Sequence, residues 1–257
     1  MRERQCSDTP CSTTCVTTLR PFLFIFDYCG RCVILQIRGV TEIDGEYFGT
    51  FPADTQWIRD AVTIIELEKS RQAGHGMIGR LPTTLGLFSV MTSFAIHEND
   101  ITGTLPTEFG LLSKLSTKFE IYGNPEIRGN VPTELGNLRD LTGSFVLDRQ
   151  VGLRGSLPTE VGKLSLLEDR FIVASSGRGL TGPIPTEIGM LTAVREIILE
   201  DESFSGPAPT ELGMLTGLRR GFVLANNNLE HAIPTQLGKF SLLKVRMRGA
   251  AFIVASN

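Results

Sequence analysis

Short segments in which apolar and other residues alternate recur along this chain. In the segment SFAIH at 93–97, Phe94 and Ile96 are separated by one residue and therefore lie on one face of an extended strand. The same alternation returns in later segments, so each is predicted to be a strand with one buried face. The predicted inward pairs are Phe94 and Ile96, Phe119 and Ile121, Phe145 and Leu147, Phe171 and Val173, Ile197 and Leu199, and Phe222 and Leu224.

A phrase containing proline recurs between these segments. It is written LPTTLG, LPTEFG, VPTELG, LPTEVG, IPTEIG, APTELG and IPTQLG, and with Pro52 its prolines lie 24 to 30 residues apart. A period of this length indicates a solenoid of stacked units. Proline suits the first position (N1) of a helix, and an acidic residue after it lies near the positive helix end. The phrase therefore predicts a short helical or 3₁₀ segment opposite the sheet. The prolines are Pro52, Pro82, Pro106, Pro132, Pro158, Pro185, Pro209 and Pro234.

A glycine stands three residues before nearly every one of these prolines. We predict that it supplies a backbone turn that a Cβ atom would hinder. His231 replaces it in the last full unit, which is expected to be strained or rearranged. The glycine column is Gly49, Gly79, Gly103, Gly129, Gly155, Gly182 and Gly206.

The unit at 85–106, LGLFSVMTSFAIHENDITGTLP, fits the template L-G-x-L-x-x-L-x-x-L-x-L-x-x-N-x-L-x-G-x-I-P. On these residues the chain resembles plant-type leucine-rich repeat proteins, the class found in receptor-kinase ectodomains and cell-wall enzyme inhibitors. The PTELG phrase is most similar to algal members. The resemblance covers residues 33–257 and implies about eight to nine repeats. It implies an α/β solenoid, a curved horseshoe with a parallel concave sheet and short helical or 3₁₀ segments on the convex side, and a binding role without naming a ligand.

In that family an asparagine after each strand bonds backbone groups of the turn. Asn99, Asn124, Asn227 and Asn257 occupy this place. Three consecutive units carry Gln150, Ser176 and Glu202 instead, so we expect the middle of the solenoid to be less regular than its ends.

All five cysteines lie in a separate N-terminal segment, residues 1–32. The family resemblance implies a disulfide-bonded cap, of which Cys29 and Cys32 would be the remnant, although the usual spacing and tryptophan are missing. A zinc site from C-x3-C and C-x2-C and a set of free thiols are the alternatives. The cysteines are Cys6, Cys11, Cys15, Cys29 and Cys32.

Charge and hydropathy exclude several functions. A net charge of −3 gives no bulk attraction to nucleic acid. No stretch approaches the ~20 apolar residues of a membrane span, and the early apolar run Phe22 to Phe26 is too short for a secretion signal. The expected location is extracellular or at the cell surface if the N-terminus is truncated, and otherwise intracellular.

The C-terminal AFIVASN repeats the strand segment RFIVASS at 170–176 and is followed by no cap. An uncovered last strand predicts a fragment, a gene-model artefact or end-to-end self-association.

Residues that resemble catalytic or cofactor motifs have a structural explanation. G-x-G-x-x-G occurs at Gly177 to Gly182, but Pro183 and Pro185 prevent a helix from starting there. The three histidines, His75, His97 and His231, fall in different columns of the repeat and cannot share a metal. We therefore predict a noncatalytic protein without metal or cofactor.

The outward residues between the inward pairs form a central column on the predicted concave face. Its second half is the aliphatic stripe, defined as Val146, Ile172, Ile198, Val223 and Ile253, which is predicted to bind a partner or a second copy, unless β-propensity alone explains it. The central column is Gln36, Glu66, Ala95, Glu120 and then the stripe. The trailing column, two residues later, is Arg38, Glu68, His97, Tyr122, Asp148, Ala174, Glu200, Ala225 and Ala255.

The predicted binding residues are the stripe together with Glu66, Glu68, His97, Glu120, Tyr122 and Glu200. The predicted function is a receptor-like recognition module for a protein, peptide or glycan, of the kind used in signalling. The alternative is a structural protein that adsorbs to ice or cell wall through its threonine ladder, which comprises Thr83, Thr107, Thr133, Thr159, Thr186, Thr210 and Thr235. Ordinary helix-start chemistry also explains these threonines.

Overall fold

The computed structural model describes the strand backbones at 3–5, 15–19, 22–26 and 32–38, and residues 63–68, 78–174, 179–230 and 234–239. From β5 onward, each repeat contributes a strand of the large sheet (called a long strand), a strand of the smaller sheets (called a short strand) and a 3₁₀ helix. Strands β1 to β18 are Glu3–Gln5, Cys15–Leu19, Phe22–Phe26, Cys32–Arg38, Ile64–Glu68, Ile78–Arg80, Ser93–His97, Asp100–Thr104, Lys118–Tyr122, Ile127–Asn130, Ser144–Asp148, Gly152–Arg154, Arg170–Ala174, Thr181–Gly182, Glu196–Glu200, Ser203–Pro207, Gly221–Val223 and Asn228–Glu230. Helices η1 to η7 are Thr83–Leu87, Thr107–Leu111, Thr133–Asn137, Thr159–Lys163, Thr186–Met190, Thr210–Met214 and Thr235–Lys239.

The long strands form one 11-stranded sheet in the order β1-β2-β3-β4-β5-β7-β9-β11-β13-β15-β17. From β4 onward every neighbouring pair is parallel and in register, as the repeat pattern predicted. Strands β1 to β4 pair antiparallel at the N-terminal edge. Cys15 and Cys32 lie in β2 and β4, while the other three cysteines and the histidines His75 and His231 lie outside the described residues.

The predicted inward pairs form the core, and each of them is buried. Phenylalanines at one place in four successive repeats stack along the solenoid. The ring centroids of Phe94 and Phe119 are 5.9 Å apart, those of Phe119 and Phe145 are 5.5 Å apart, and those of Phe145 and Phe171 are 5.2 Å apart. This phenylalanine stack adds aromatic contacts to the burial of its rings, and so ties neighbouring repeats together.

The recurring phrase forms 3₁₀ helices, with proline one residue earlier than predicted. The phrase prolines from Pro82 to Pro209 are N-cap residues, with φ between −75° and −60°, and the threonine after each begins the helix. The glycine within the phrase allows close stacking. A Cβ added at Gly86 would lie 2.2 Å from the backbone oxygen of Glu108 in the next repeat, and one at Gly136 would lie 2.3 Å from that of Glu160. The glycine of the phrase is therefore required at these junctions by close packing against the next repeat.

The glycine column before the prolines adopts the backbone conformation that was predicted for it. Its described members have positive φ angles, from 75° at Gly206 to 102° at Gly79, in a region that residues with a Cβ rarely adopt. Gly49 and His231 lie outside the described residues.

The asparagines that follow the long strands form a ladder of hydrogen bonds to neighbouring backbones, called here the asparagine ladder. Gln150 continues this ladder fully and Glu202 continues it in part. Asn124 Nδ2 donates to the carbonyls of Ile96 and Tyr122, at 3.3 and 2.9 Å. Gln150 Nε2 makes the same two bonds one repeat later, at 3.0 Å to Ile121 and 2.9 Å to Asp148. A longer side chain therefore replaces asparagine without loss of the donor bonds.

Glu202 keeps only the acceptor half of this ladder. Its Oε2 accepts a 2.6 Å bond from the Leu180 backbone N–H, as Asn227 Oδ1 accepts a 3.2 Å bond from Phe204. The amide of Asn227 also donates 2.8 Å to the Leu199 carbonyl, which an ionised carboxylate cannot do. The described short strands form two sheets, with β6, β8, β10 and β12 in one and β14, β16 and β18 in the other, and the Thr181 N–H donates a 2.7 Å hydrogen bond to the Gly155 carbonyl between them.

Candidate functional site

The strand register aligns the outward side chains of the long-strand sheet into rows. Glu120 lies opposite Ala95 and Val146, and Ile172 lies opposite Val146 and Ile198. The central and trailing columns defined from the sequence are therefore continuous across the described strands. A third row, the leading column, lies two residues before the central column. It consists of Ser93, Lys118, Ser144, Arg170, Glu196 and Gly221.

In the N-terminal half of the sheet, acids of the central column pair with bases of the leading column two strands away. Lys118 Nζ on β9 lies 3.6 Å from Glu66 Oε1 on β5. Arg170 Nη2 on β13 lies 3.1 Å from Glu120 Oε1 on β9. The intervening strands carry serines in the leading column, whose small side chains leave room for the longer ones to cross. Glu66 and Glu120 are therefore each paired with a base of the same sheet face.

Glu120 is the centre of this network. Its other carboxylate oxygen, Oε2, lies 3.3 Å from His97 Nε2, and its side chain is only 8% exposed. Burial alone would raise the pKa of Glu120, but hydrogen bonds from His97 and Ser144 and the positive charges of Arg170 and Lys118 outweigh it and lower the pKa to about 2. Glu120 is therefore ionised at every physiological pH.

Replacing Glu120 with glutamine should lower the free energy of unfolding at pH 7 by about 1–2 kcal/mol, because Arg170 loses its charged partner. The depressed pKa stabilises the fold above the ordinary value of 4.5, and this contribution is lost as the pH falls towards 2. The difference between wild type and Glu120→Gln in urea unfolding should therefore shrink from pH 7 to pH 3. Glu134→Gln on the convex helix η3 is the matched control. An equal difference at both pH values would contradict this assignment.

Aromatic and cationic side chains extend the network along the trailing column. The His97 and Tyr122 rings meet edge to face with centroids 6.1 Å apart. The guanidinium carbon of Arg149 lies 4.9 Å from the centroid of Tyr122, in a cation–π contact. Of the predicted site residues, His97, Glu120 and Tyr122 are thus brought together, and Glu66 joins their neighbourhood through Lys118. Glu68 lies at the end of β5 beside His97 in the register.

The aliphatic stripe occupies the C-terminal half of the central column. Ile172, Ile198 and Val223 are half-buried and still present surface to the concave side. Val146 is only 6% exposed and lies on β11, the strand that the Arg170–Glu120 pair crosses. Ile253 lies outside the described residues. The surface that a partner can contact is therefore the three-residue part, Ile172, Ile198 and Val223.

Carboxylates line one side of this stripe. Asp148 on β11 and Glu200 on β15 belong to the trailing column and flank Ala174 on β13. Burial raises the pKa of Glu200, and the negative charges of Asp201 and Asp148 raise it further. Burial also raises the pKa of Asp148, against the opposing charge and backbone bond of Arg149. Like charges are therefore gathered here, in contrast to the paired charges of the N-terminal half.

The threonine ladder of the convex side is engaged within the repeats. Thr107, Thr133 and Thr159 each donate from Oγ1 to the carboxylate of the following glutamate, at 3.2 to 3.3 Å, and later repeats do the same. At helices η1 to η6 the N-cap residue is proline, whose side chain has no hydrogen-bonding group, so the cap position itself makes no side-chain bond. Within the described residues no group of three metal-ligating side chains occurs, and none of the short helices could span a membrane.

The leading column is what the sequence-based selection of site residues missed. Lys118, Ser144 and Arg170 lie two residues before members of the central column, so the period-2 rule already placed them on the same face. No comparable sequence pattern predicts the ion pairs that span two strands, because these pairs depend on which side chains of the intervening strand are small.

Comparisons with known proteins agree with this architecture. No protein-family model and no curated protein sequence matches this chain. Among solved structures, it is similar to the leucine-rich repeat ectodomain of the plant membrane receptor kinase GASSHO1/SCHENGEN3 from Arabidopsis thaliana, in complex with CASPARIAN STRIP INTEGRITY FACTOR 2. That likeness has a TM-score of 0.71 and 26% identity, and covers 88% of this chain and 25% of the other.

A second likeness shows the same fold in another receptor. The plant peptide hormone receptor RGFR1, in complex with RGF2, has a TM-score of 0.58 and 22% identity, over 89% of this chain and 39% of the other. This chain thus spans well under two thirds of either receptor structure. Its parallel sheet, 3₁₀ segments and repeat register are those of a plant-type leucine-rich repeat protein.

Proposed function

We propose that this chain is a noncatalytic, receptor-like recognition module that binds an extended peptide or a protein segment on its concave face. The observation that carries the proposal is the continuous parallel sheet, whose half-buried Ile172, Ile198 and Val223 form one apolar row beside charged columns. Side chains of this kind, with polar groups around them, are typical of protein interaction surfaces. The structural likeness to a receptor ectodomain solved with a bound partner supports the same role.

The concave face suits a peptide better than the convex side suits an ice or cell-wall surface. The convex threonine hydroxyls donate to neighbouring glutamates, so the ladder presents alternating hydroxyl and carboxylate groups. The concave side combines an apolar row with paired and unpaired charges, which can fix the register of an extended chain.

The test is to pan displayed random ten-residue peptides against the purified chain and to measure the affinity of the enriched sequences. Changing Ile172 and Ile198 together to lysine should weaken binding at least tenfold, because charges then replace two apolar side chains that the bound peptide would cover. Changing Leu166 and Met190 to lysine is the matched control, since these convex side chains are 53% and 54% exposed. Binding that survives in the Ile172 and Ile198 variant but fails in the control would contradict the proposal. Oligosaccharides tested in parallel distinguish a glycan ligand.

A further inference from the structure

The two halves of the concave face differ in how their charges are compensated. In the N-terminal half, Glu66 and Glu120 each have a cation within 3.6 Å. In the C-terminal half, the charges that act most on Glu200 are the negative ones of Asp148 and Asp201. Within the residues that the structure describes, no cation pairs with Glu200. The solenoid therefore concentrates negative charge beside its apolar row.

A gap in the trailing column lies between Asp148 and Glu200, where the intervening strand carries only the methyl side chain of Ala174. Their strands lie on either side of β13, so their backbones are about 10 Å apart at two strand spacings. Ala174 is itself only 6% exposed, so a bound cation would contact the flanking carboxylates and not this methyl group. Asn226 Nδ2 holds the carboxylate of the neighbouring Asp201 at 2.7 Å. Arg149, the base next to Asp148, lies over the Tyr122 ring, and its positive charge also acts on Asp148 but not measurably on Glu200.

The distance from the apolar row to this gap equals the distance between alternate residues of an extended chain. Ile172 and Ala174 are two residues apart on one face of β13, which is about 6–7 Å. In an extended peptide, side chains at positions i and i+2 point to the same side at the same spacing. A peptide lying along β13 can therefore place one side chain against Ile172 and Ile198 and the next one on that side over Ala174.

We propose that the bound segment is an extended peptide with an aliphatic residue at one position and lysine or arginine two residues away, the aliphatic side chain contacting Ile172 and Ile198 and the cation lying between Asp148 and Glu200. This inference rests on the proposed peptide-binding function and specifies its ligand. Charge complementarity selects the cation, and no bulky side chain lies on the strand between the two carboxylates. Acidic peptides are excluded by the same carboxylates.

The experiment uses the peptide display described above, with two versions of the full chain. Peptides enriched on the wild type should carry an aliphatic residue and a lysine or arginine two positions apart. On a double variant, Asp148→Asn with Glu200→Gln, the enrichment of lysine and arginine should fall at least tenfold while the aliphatic preference persists. The control variant, Glu134→Gln with Glu160→Gln on the convex helices, should behave as the wild type does.

A change in the peptide provides an independent test, because it leaves the protein unaltered. Replacing the lysine of an enriched peptide by norleucine should weaken its binding to the wild type at least tenfold, and to the double variant less than threefold. Peptides that bind through Ile172 and Ile198 without a lysine or arginine preference would overturn this inference and leave the proposed function standing. If no peptide is enriched, both fail. If the chain forms a dimer, and the substitutions Ile172→Lys and Ile198→Lys dissociate it, then the stripe binds a second copy of the chain. That result would also overturn this inference.

Discussion

Replacing Phe145 with alanine should lower the free energy of unfolding by about 3–5 kcal/mol, the range for removing a fully buried aromatic ring. Phe145 is 0% exposed and lies between two stacked rings, Phe119 at 5.5 Å and Phe171 at 5.2 Å. The substitution therefore leaves a cavity and removes two aromatic contacts that join three repeats. Because each repeat of a solenoid is stabilised by its neighbours, we expect the loss to be felt on both sides of the gap.

Urea unfolding followed by circular dichroism measures this effect. Leu111→Ala is the control, because Leu111 is 60% exposed on helix η2 and should change the stability by less than about 0.5 kcal/mol. A loss below about 1 kcal/mol for Phe145→Ala, or equal losses for the two variants, would show that the stack does not connect the repeats as its geometry indicates.

Replacing Glu202 with glutamine should stabilise the protein at pH 8 by about 2–3 kcal/mol. Burial raises the pKa of Glu202 to about 7, Asp201 raises it too, and the backbone N–H groups of Leu180 and Gly179 oppose them. At pH 8 the folded chain therefore holds a buried charge that the unfolded chain solvates. Glutamine keeps the acceptor for Leu180 and adds the amide donor that Gln150 already uses in the same ladder.

The pH dependence of this effect has a defined sign. A carboxyl whose pKa rises from 4.5 to about 7 on folding favours the folded state while it is protonated, so wild-type stability should fall as the pH rises from 4.5 to 7. Glu202→Gln should lack this loss and should match the wild type below pH 4.5. Urea unfolding at pH 4.5, 6 and 8 measures both, with Glu211→Gln on η6 as the control. A glutamine variant that is no more stable than the wild type at pH 8 would refute the argument.

The fold could be predicted from the sequence because each unit contains local signals that neighbouring units repeat. Alternation placed Phe94 and Ile96 in the core, and the positive φ of Gly103 followed from its place in the repeat. Proline was expected at the first helical position and is found at the N-cap, a difference of one residue. The proline ring fixes φ near −65°, and both positions accept this angle, so the residue type alone does not distinguish them.

Less of the candidate site could be predicted, because it depends on contacts between units. The outward columns followed from the two-residue period, but the pairing of Arg170 with Glu120 joins residues 50 apart in the sequence. The burial of Val146 beneath that pair was likewise not predictable from its own strand. The ability of Gln150 to replace asparagine was also missed, because it depends on how far the turn is from the preceding strand.

Five phrase glycines, Gly86, Gly110, Gly136, Gly162 and Gly189, closely approach the backbone of a glutamate in the next repeat, so these repeats meet at junctions of the same form. The junction of Gly86 with Glu108 has the same form as those of Gly110 with Glu134 and Gly136 with Glu160. A unit removed or duplicated between two equivalent prolines would therefore meet its new neighbour at a junction of the old kind. A gene that encodes such a chain can change the length of the parallel sheet by whole-unit recombination, without a new interface having to evolve at each junction.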